Sequence, residues 1–204
     1  MATAMTTPKA APKFRQKGFT LIETMISMTI LTIGSVGLLG LFGLAVKATQ
    51  TSQQDMIARQ LASEAIESIF TARNSSEINW AQIQNTGNGG IFVPNFNSIK
   101  CAGPDGIIGT ADDASCLTAS GATCPNGGIR CLDEPGPDGI MGTADDVVLS
   151  LTNYQRQILI TPLLDGSGNP VQTLNQISVT IQYNTPNSST PKTYVINEYI
   201  STYH

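Results

Sequence analysis

Apolar positions follow three patterns along this chain, and each predicts a different kind of element. From Phe19 to Val46, 28 residues carry one ionisable side chain, Glu23. A helix of that length measures about 42 Å at roughly 1.5 Å per residue, which exceeds the ~30 Å hydrocarbon core of a bilayer. The segment is expected to span a membrane. A secretory signal peptide, with an apolar part of about 7–15 residues, would be shorter.

The second pattern begins where the first ends. Ala58, Leu61, Ala62, Ala65, Ile66 and Ile69 recur at three- and four-residue steps, with Arg59, Glu64 and Glu67 outside the stripe. No proline interrupts the chain between Phe19 and Arg73. One helix of about 55 residues is therefore expected, apolar all round in its first half and amphipathic in its second. Gly34, Gly37, Gly40 and Gly43 weaken the first half but permit close approach of neighbouring helices.

The third pattern occupies the end of the chain. "DDVVLSL", "YQRQILIT", "NQISVTIQY" and "KTYVINEYIS" are β-branched, aromatic and partly alternating, and "PLLDGSGNP" and "NTPNSSTP" between them read as turns. About four antiparallel strands follow, one face of which can cover the stripe on the helix. The fold class expected is α+β, a long N-terminal helix packed on a C-terminal antiparallel sheet. Between helix and sheet, "NTGNGG", "SGATCPNGG" and "EPGPDG" supply turn residues too densely for long elements.

Charge adds a direction. Lys9, Lys13, Arg15 and Lys17 all precede Gly18, and all fifteen acids follow it. The positive-inside rule keeps the N-terminus cytoplasmic and sends the rest outward. An exterior with seven cations against fifteen acids lacks the basic clustering that nucleic acid requires, so no nucleic-acid partner is expected.

In that setting the junction itself becomes informative. A basic leader ending "KG", then "FTLIE" opening a long apolar helix, resembles the processing site of type IV prepilins and of the pseudopilins of type II secretion. "ARQLASEAIESI", beyond the apolar run, is similar to minor pilins of the PilV kind, although Gly40 stands where many pilins have a proline. The resemblance implies cleavage by prepilin peptidase between Gly18 and Phe19 and N-methylation of Phe19. It also implies use of Glu23 in assembly, where a buried carboxylate can meet the amino terminus of a neighbouring subunit. Residues 1–18 then form a leader, 19–46 the transmembrane and assembly half of the helix, 47–73 its amphipathic half, 74–146 a loop region and 147–204 the sheet. The expected partners are other pilin subunits, the peptidase and the inner membrane, with the chain joining an extracellular filament after assembly. A type II secretion pseudopilin, and a membrane-anchored calcium-dependent adhesion module that never polymerises, are the alternatives.

Two further features belong to the loop region. "GPDGIIGTADD" at Gly103–Asp113 recurs as "GPDGIMGTADD" at Gly136–Asp146, ten of eleven positions alike and 33 residues apart. Asp105, Asp112 and Asp113, and likewise Asp138, Asp145 and Asp146, are carboxylates on a glycine-rich backbone of a kind that suits Ca²⁺. The spacing is not that of an EF-hand, and a hairpin turn used twice would read the same way. Cys101, Cys116, Cys124 and Cys131 fall within one short window on the oxidising side of the membrane, so two disulfides are expected. Sequential pairing (Cys101 with Cys116, Cys124 with Cys131) and nested pairing (Cys101 with Cys131, Cys116 with Cys124) are both open. With His204 as the sole imidazole, no Ser-His-Asp or Cys-His chemistry is in prospect, and no enzyme is expected.

Overall fold

The computed structural model describes residues 18–185 and 190–203. The basic residues of the leader, His204 and the middle half of the "NTPNSSTP" turn lie outside them. The chain divides into two compact units, Met1–Val46 and Lys47–His204.

One helix, α1, runs Leu21–Asn74 and contributes to both units. Within the first unit its apolar side chains are exposed from Leu21 to Val46, and α1 is long and apolar enough to cross a membrane. Its hydroxyls are satisfied within the helix itself. Thr24 donates to the Leu21 carbonyl, Ser27 to Glu23, Thr29 to Met25, Thr32 to Met28 and Ser35 to Leu31, at 2.8–3.0 Å. Such back-bonding leaves no side-chain hydroxyl from Thr24 to Ser35 needing water, which is the condition a hydrocarbon environment imposes.

The second unit is a helix on a sheet. Strands β1 (Asn97–Ser98), β4 (Tyr154–Leu164), β5 (Pro170–Tyr183) and β6 (Lys192–Ser201) form an antiparallel sheet in the order β1-β4-β5-β6. Strands β2 (Cys131–Glu134) and β3 (Val147–Ser150) form a separate two-stranded ribbon. The α+β architecture with a four-stranded sheet is the one expected, with one exchange of members. "VVLS" pairs with Cys131–Glu134 in the ribbon, and the sheet takes its fourth strand from Asn97–Ser98 within the loop region. Alternation along "VVLS" defines a strand but not its partner.

Inward residues of the sheet, Tyr154, Ile158 and Ile160 on β4 and Ile177, Val179, Ile181 and Tyr183 on β5, share one buried cluster with Ala58, Leu61, Ala62, Ala65 and Ile69 of α1. Small residues on the helix let it approach the sheet, and each buried isoleucine stabilises the fold by about 1.5–3 kcal/mol. The short β1 covers little of the β4 edge, and a side chain completes the covering. Buried Asn85 donates to the Ile158 carbonyl at 2.9 Å and accepts from the Ile160 N–H at 2.8 Å, as a neighbouring strand would. The β4–β5 turn is closed by Asp165, whose carboxylate accepts from the N–H groups of Ser167 and Asn169, with Gly168 at φ 84°.

Candidate functional site

At the start of α1, Gly18, Phe19 and Thr20 are exposed and lie outside the helix. Thr20 caps it. Its Oγ1 accepts from the Glu23 N–H at 3.3 Å, and its carbonyl accepts from Glu23 and Thr24 at 3.1 and 3.2 Å. "TLIE" thus follows the capping-box pattern, a hydroxyl at the N-cap and a glutamate at the third helical position. Glu23 lies in the first turn, where unpaired N–H groups and the helix dipole favour a negative charge by about 0.3–1 kcal/mol. A carboxylate that would be costly at the bilayer centre is therefore placed where the helix itself tolerates it best. The Gly18–Phe19 bond stands one residue before the cap, exposed and outside the helix.

The cysteines resolve their open pairing. Cys101 bonds Cys116 and Cys124 bonds Cys131, the sequential arrangement. The first bridge closes a loop around the first Asp/Gly repeat. A loop of about 15 residues closed in this way gains roughly 3 kcal/mol from the entropy removed from the unfolded chain.

The two repeats adopt one local structure. Gly106 and Gly139 both have φ 70°, and Gly109 and Gly142 have φ 89° and 87°. Asp105 accepts from the Ile107 N–H at 2.9 Å, as Asp138 does from Ile140 at 2.8 Å. Thr110 donates to Asp112 at 2.6 Å, and Thr143 to Asp145 at 2.6 Å. Asp113 and Asp146 accept from the N–H groups of Gly109 and Gly142. The correspondence extends to the flanks: Cys101 bridges Ala114 in antiparallel register, and 33 residues on, Glu134 bridges Val147. The duplicated unit is a hairpin with its connection. At Gly103 and Gly136 a Cβ would collide with the carbonyl oxygens of Asp112 and Asp145, so the entry to each loop requires glycine.

Among the described residues no group of three or more His, Cys, Asp or Glu side chains gathers as a metal-binding set. Each repeat instead presents a pair, Asp105 with Asp112 and Asp138 with Asp145. The Thr110 hydroxyl, helped by bonds from Asp105, holds the Asp112 carboxyl below the usual aspartate range, and Thr143 and Asp138 do the same for Asp145. The third carboxylate of the first repeat is turned inward: Asp113 faces the Arg156 guanidinium at 3.5 Å. Burial pushes the Asp113 carboxyl up despite the opposing attraction of Arg156. Arg156 carries no motif, but it sits in phase with Tyr154, Ile158 and Ile160, and an arginine on the apolar face of an alternating strand was the available signal.

The prokaryotic N-terminal methylation motif matches residues 13–39. That match spans the basic leader's end, the Gly18–Phe19 junction, the Thr20 cap, Glu23 and the first turns of the apolar helix. It supports a type IV pilin-like or pseudopilin-like subunit. With α1 it fits membrane anchoring of a C-terminal domain. Neither the curated proteins nor the solved structures provide a match to the chain.

Proposed function

We propose that this chain is a structural subunit of a type IV pilus, a minor pilin similar to the PilV kind. Prepilin peptidase cuts it after Gly18, and it assembles through α1 with its C-terminal domain outside the cytoplasm. The observation that carries this reading is the junction of motif and geometry. The matched segment ends its leader one residue before a capped helix, leaving the scissile bond exposed and Glu23 in the first turn. Cleavage there creates a cationic amine at the positive end of the helix dipole, an unfavourable placement that a carboxylate relieves. Glu23 of an adjacent subunit supplies that carboxylate when helices stagger in a filament. In the bilayer the same Glu23 has no cation to meet. Assembly is favoured by both halves of that difference.

Calcium is proposed as a weakly held partner of the two repeats. Asp105 with Asp112, and Asp138 with Asp145, would each supply two carboxylates to a hard cation that completes its shell with carbonyls and water. No catalytic role is proposed for any residue.

The test is the intact mass and N-terminal peptide of the protein in native membranes and in sheared filaments. A chain beginning at N-methylated Phe19 in the filament fraction is expected, and Glu23→Ala is expected to leave processing intact while removing the protein from that fraction. A chain retaining its leader and confined to the membrane would overturn the reading and leave a non-polymerising anchored module.

A further inference from the structure

Arg156 lies on the core face of β4 with 4% of its side chain exposed. Its Nη2 reaches Asp113 at 3.5 Å, long for a charge-assisted bond, and its buried Nη1 has no hydrogen-bond partner. Leaving a buried donor unsatisfied is costly, the more so on a charged group. A guanidinium forks its N–H groups toward a planar, two-oxygen acceptor, and one edge of this fork is unfilled.

Arg156 lines a cavity of about 420 Å³, bounded by the first repeat on one side and the β1 and β4 edge on the other. That volume falls in the range of small-molecule sites. Val93 and Ile158 form apolar wall, Ser98 polar wall, and Lys100 and Asp113 complete the charged lining. Lys100 is half-exposed and makes no ion pair among the described residues. The other charges that act on Arg156, Glu64 and Arg130, are bonded to each other at 2.6 Å and cancel. Among the lining residues two cations face one carboxylate, which leaves the wall itself with a single positive charge, while Asp105 and Asp112 of the same repeat stand outside the lining. A monoanion balances that charge, whereas a dianion would exchange one uncompensated charge for another.

We propose that this cavity binds a small monoanionic carboxylate, its oxygens taken by Arg156 and Lys100 and its carbon frame lying against Val93 and Ile158. The site lies within the second unit and is independent of whether the chain polymerises. The test uses the ¹⁵N-labelled full chain in detergent micelles, titrated with lactate, glucuronate and, at pH 7.5, inorganic phosphate. Saturable shifts of the Gly109, Thr110 and Ala111 amides and of the Arg156 side-chain N–H are expected with at least one of the two carboxylates. Lys100→Gln should weaken that binding by about tenfold by removing one charge-assisted bond. Ser98→Trp, at an exposed lining position, should abolish it by filling the cavity. No saturable shift with either carboxylate, phosphate binding as tightly as the better carboxylate, or unchanged binding in both variants would each overturn the proposal.

Discussion

The two Asp/Gly repeats share ten of eleven residues and one backbone course, yet they live in opposite surroundings. In the first, Ile107 and Ile108 are buried at 2% and 6% exposure, the Ile108 N–H donates to Ser68 on α1 at 3.2 Å, and Asp113 faces Arg156. In the second, Ile140 and Met141 are 61% and 50% exposed. Local sequence fixes the local turn through its glycines, aspartates and threonine, because those residues bond within the loop. Whether the loop's isoleucines serve the core is decided by the flanks. The Cys101–Cys116 bridge ties one hairpin beside the helix and sheet, while the other rides on the β2–β3 ribbon. Duplication copied a turn without copying its neighbours.

The largest expected asymmetry follows from those isoleucines. Ile107→Ala removes buried methylenes from a packed core and should cost about 2–5 kcal/mol. Ile140→Ala, at the corresponding exposed position, should stay within about 0.5 kcal/mol of the parent. Urea unfolding of the full chain in micelles, followed by fluorescence of Trp80, measures both. Equal losses would mean that the second loop is buried by something in solution, and the contrast between the repeats would collapse.

The same contrast marks the limit of what the sequence discloses. The stripe on α1 was legible because helical periodicity and burial coincide from Ala58 to Ile69. The long strands were legible because alternation survives in "YQRQILI" and "QISVTIQY". Strand partnership was not, since Val147–Ser150 and Asn97–Ser98 carry no residue that names a neighbour. Disulfide pairing stayed open for a related reason: both connectivities suited the spacing, and three-dimensional approach made the choice. At the N-terminus, "GFTLIE" was legible as a junction, and the Thr20 cap adds why a glutamate is tolerated there. The cavity beside Arg156 was hidden, because its walls come from segments far apart in the chain.

A second, smaller asymmetry separates the last aspartates of the two loops. Asp113→Asn should keep the bond from the Gly109 N–H through its amide oxygen and remove a carboxylate whose burial outweighs the attraction of Arg156, so at neutral pH it should hold or raise stability. Asp146→Asn, with no arginine opposite, should change stability little. The pH response gives the sign independently. Burial raises Asp113 in the folded chain, so stability from this group is present in acid and lost as pH rises from the ordinary aspartate value through the raised one. Asp112 and Asp145 are lowered, so their contribution is present above the ordinary value and lost as pH falls below it. Carbonyl-carbon titration by NMR should therefore find Asp113 titrating above Asp112 and Asp145. Asp113 at or below Asp112 would mean that the Arg156 attraction outweighs burial, and the site would be a conventional ion pair.

The smallest expected effect concerns the feature the repeats do not differ in. The pairs Asp105 with Asp112 and Asp138 with Asp145 are built by the same hydrogen bonds in both loops, so calcium held by local geometry alone should treat them alike. Free calcium at ten times its Kd would stabilise the folded chain by about 1.4 kcal/mol per site, a rise of roughly 3–5 °C in melting temperature for a chain of this size. Asp112→Asn and Asp145→Asn should each remove about half of the total shift seen between calcium and chelator, and the double variant all of it. Loss of the whole shift with Asp145→Asn alone would show that exposure as well as local geometry selects the cation, since only the second loop is open to solvent along its isoleucine edge. No shift at millimolar calcium would return both loops to turns whose aspartates serve their own backbone, and the identity of the two sequences would then record the demands of one difficult hairpin connection, with glycine required at Gly103 and Gly136 and threonine required to hold the carboxylate beside it.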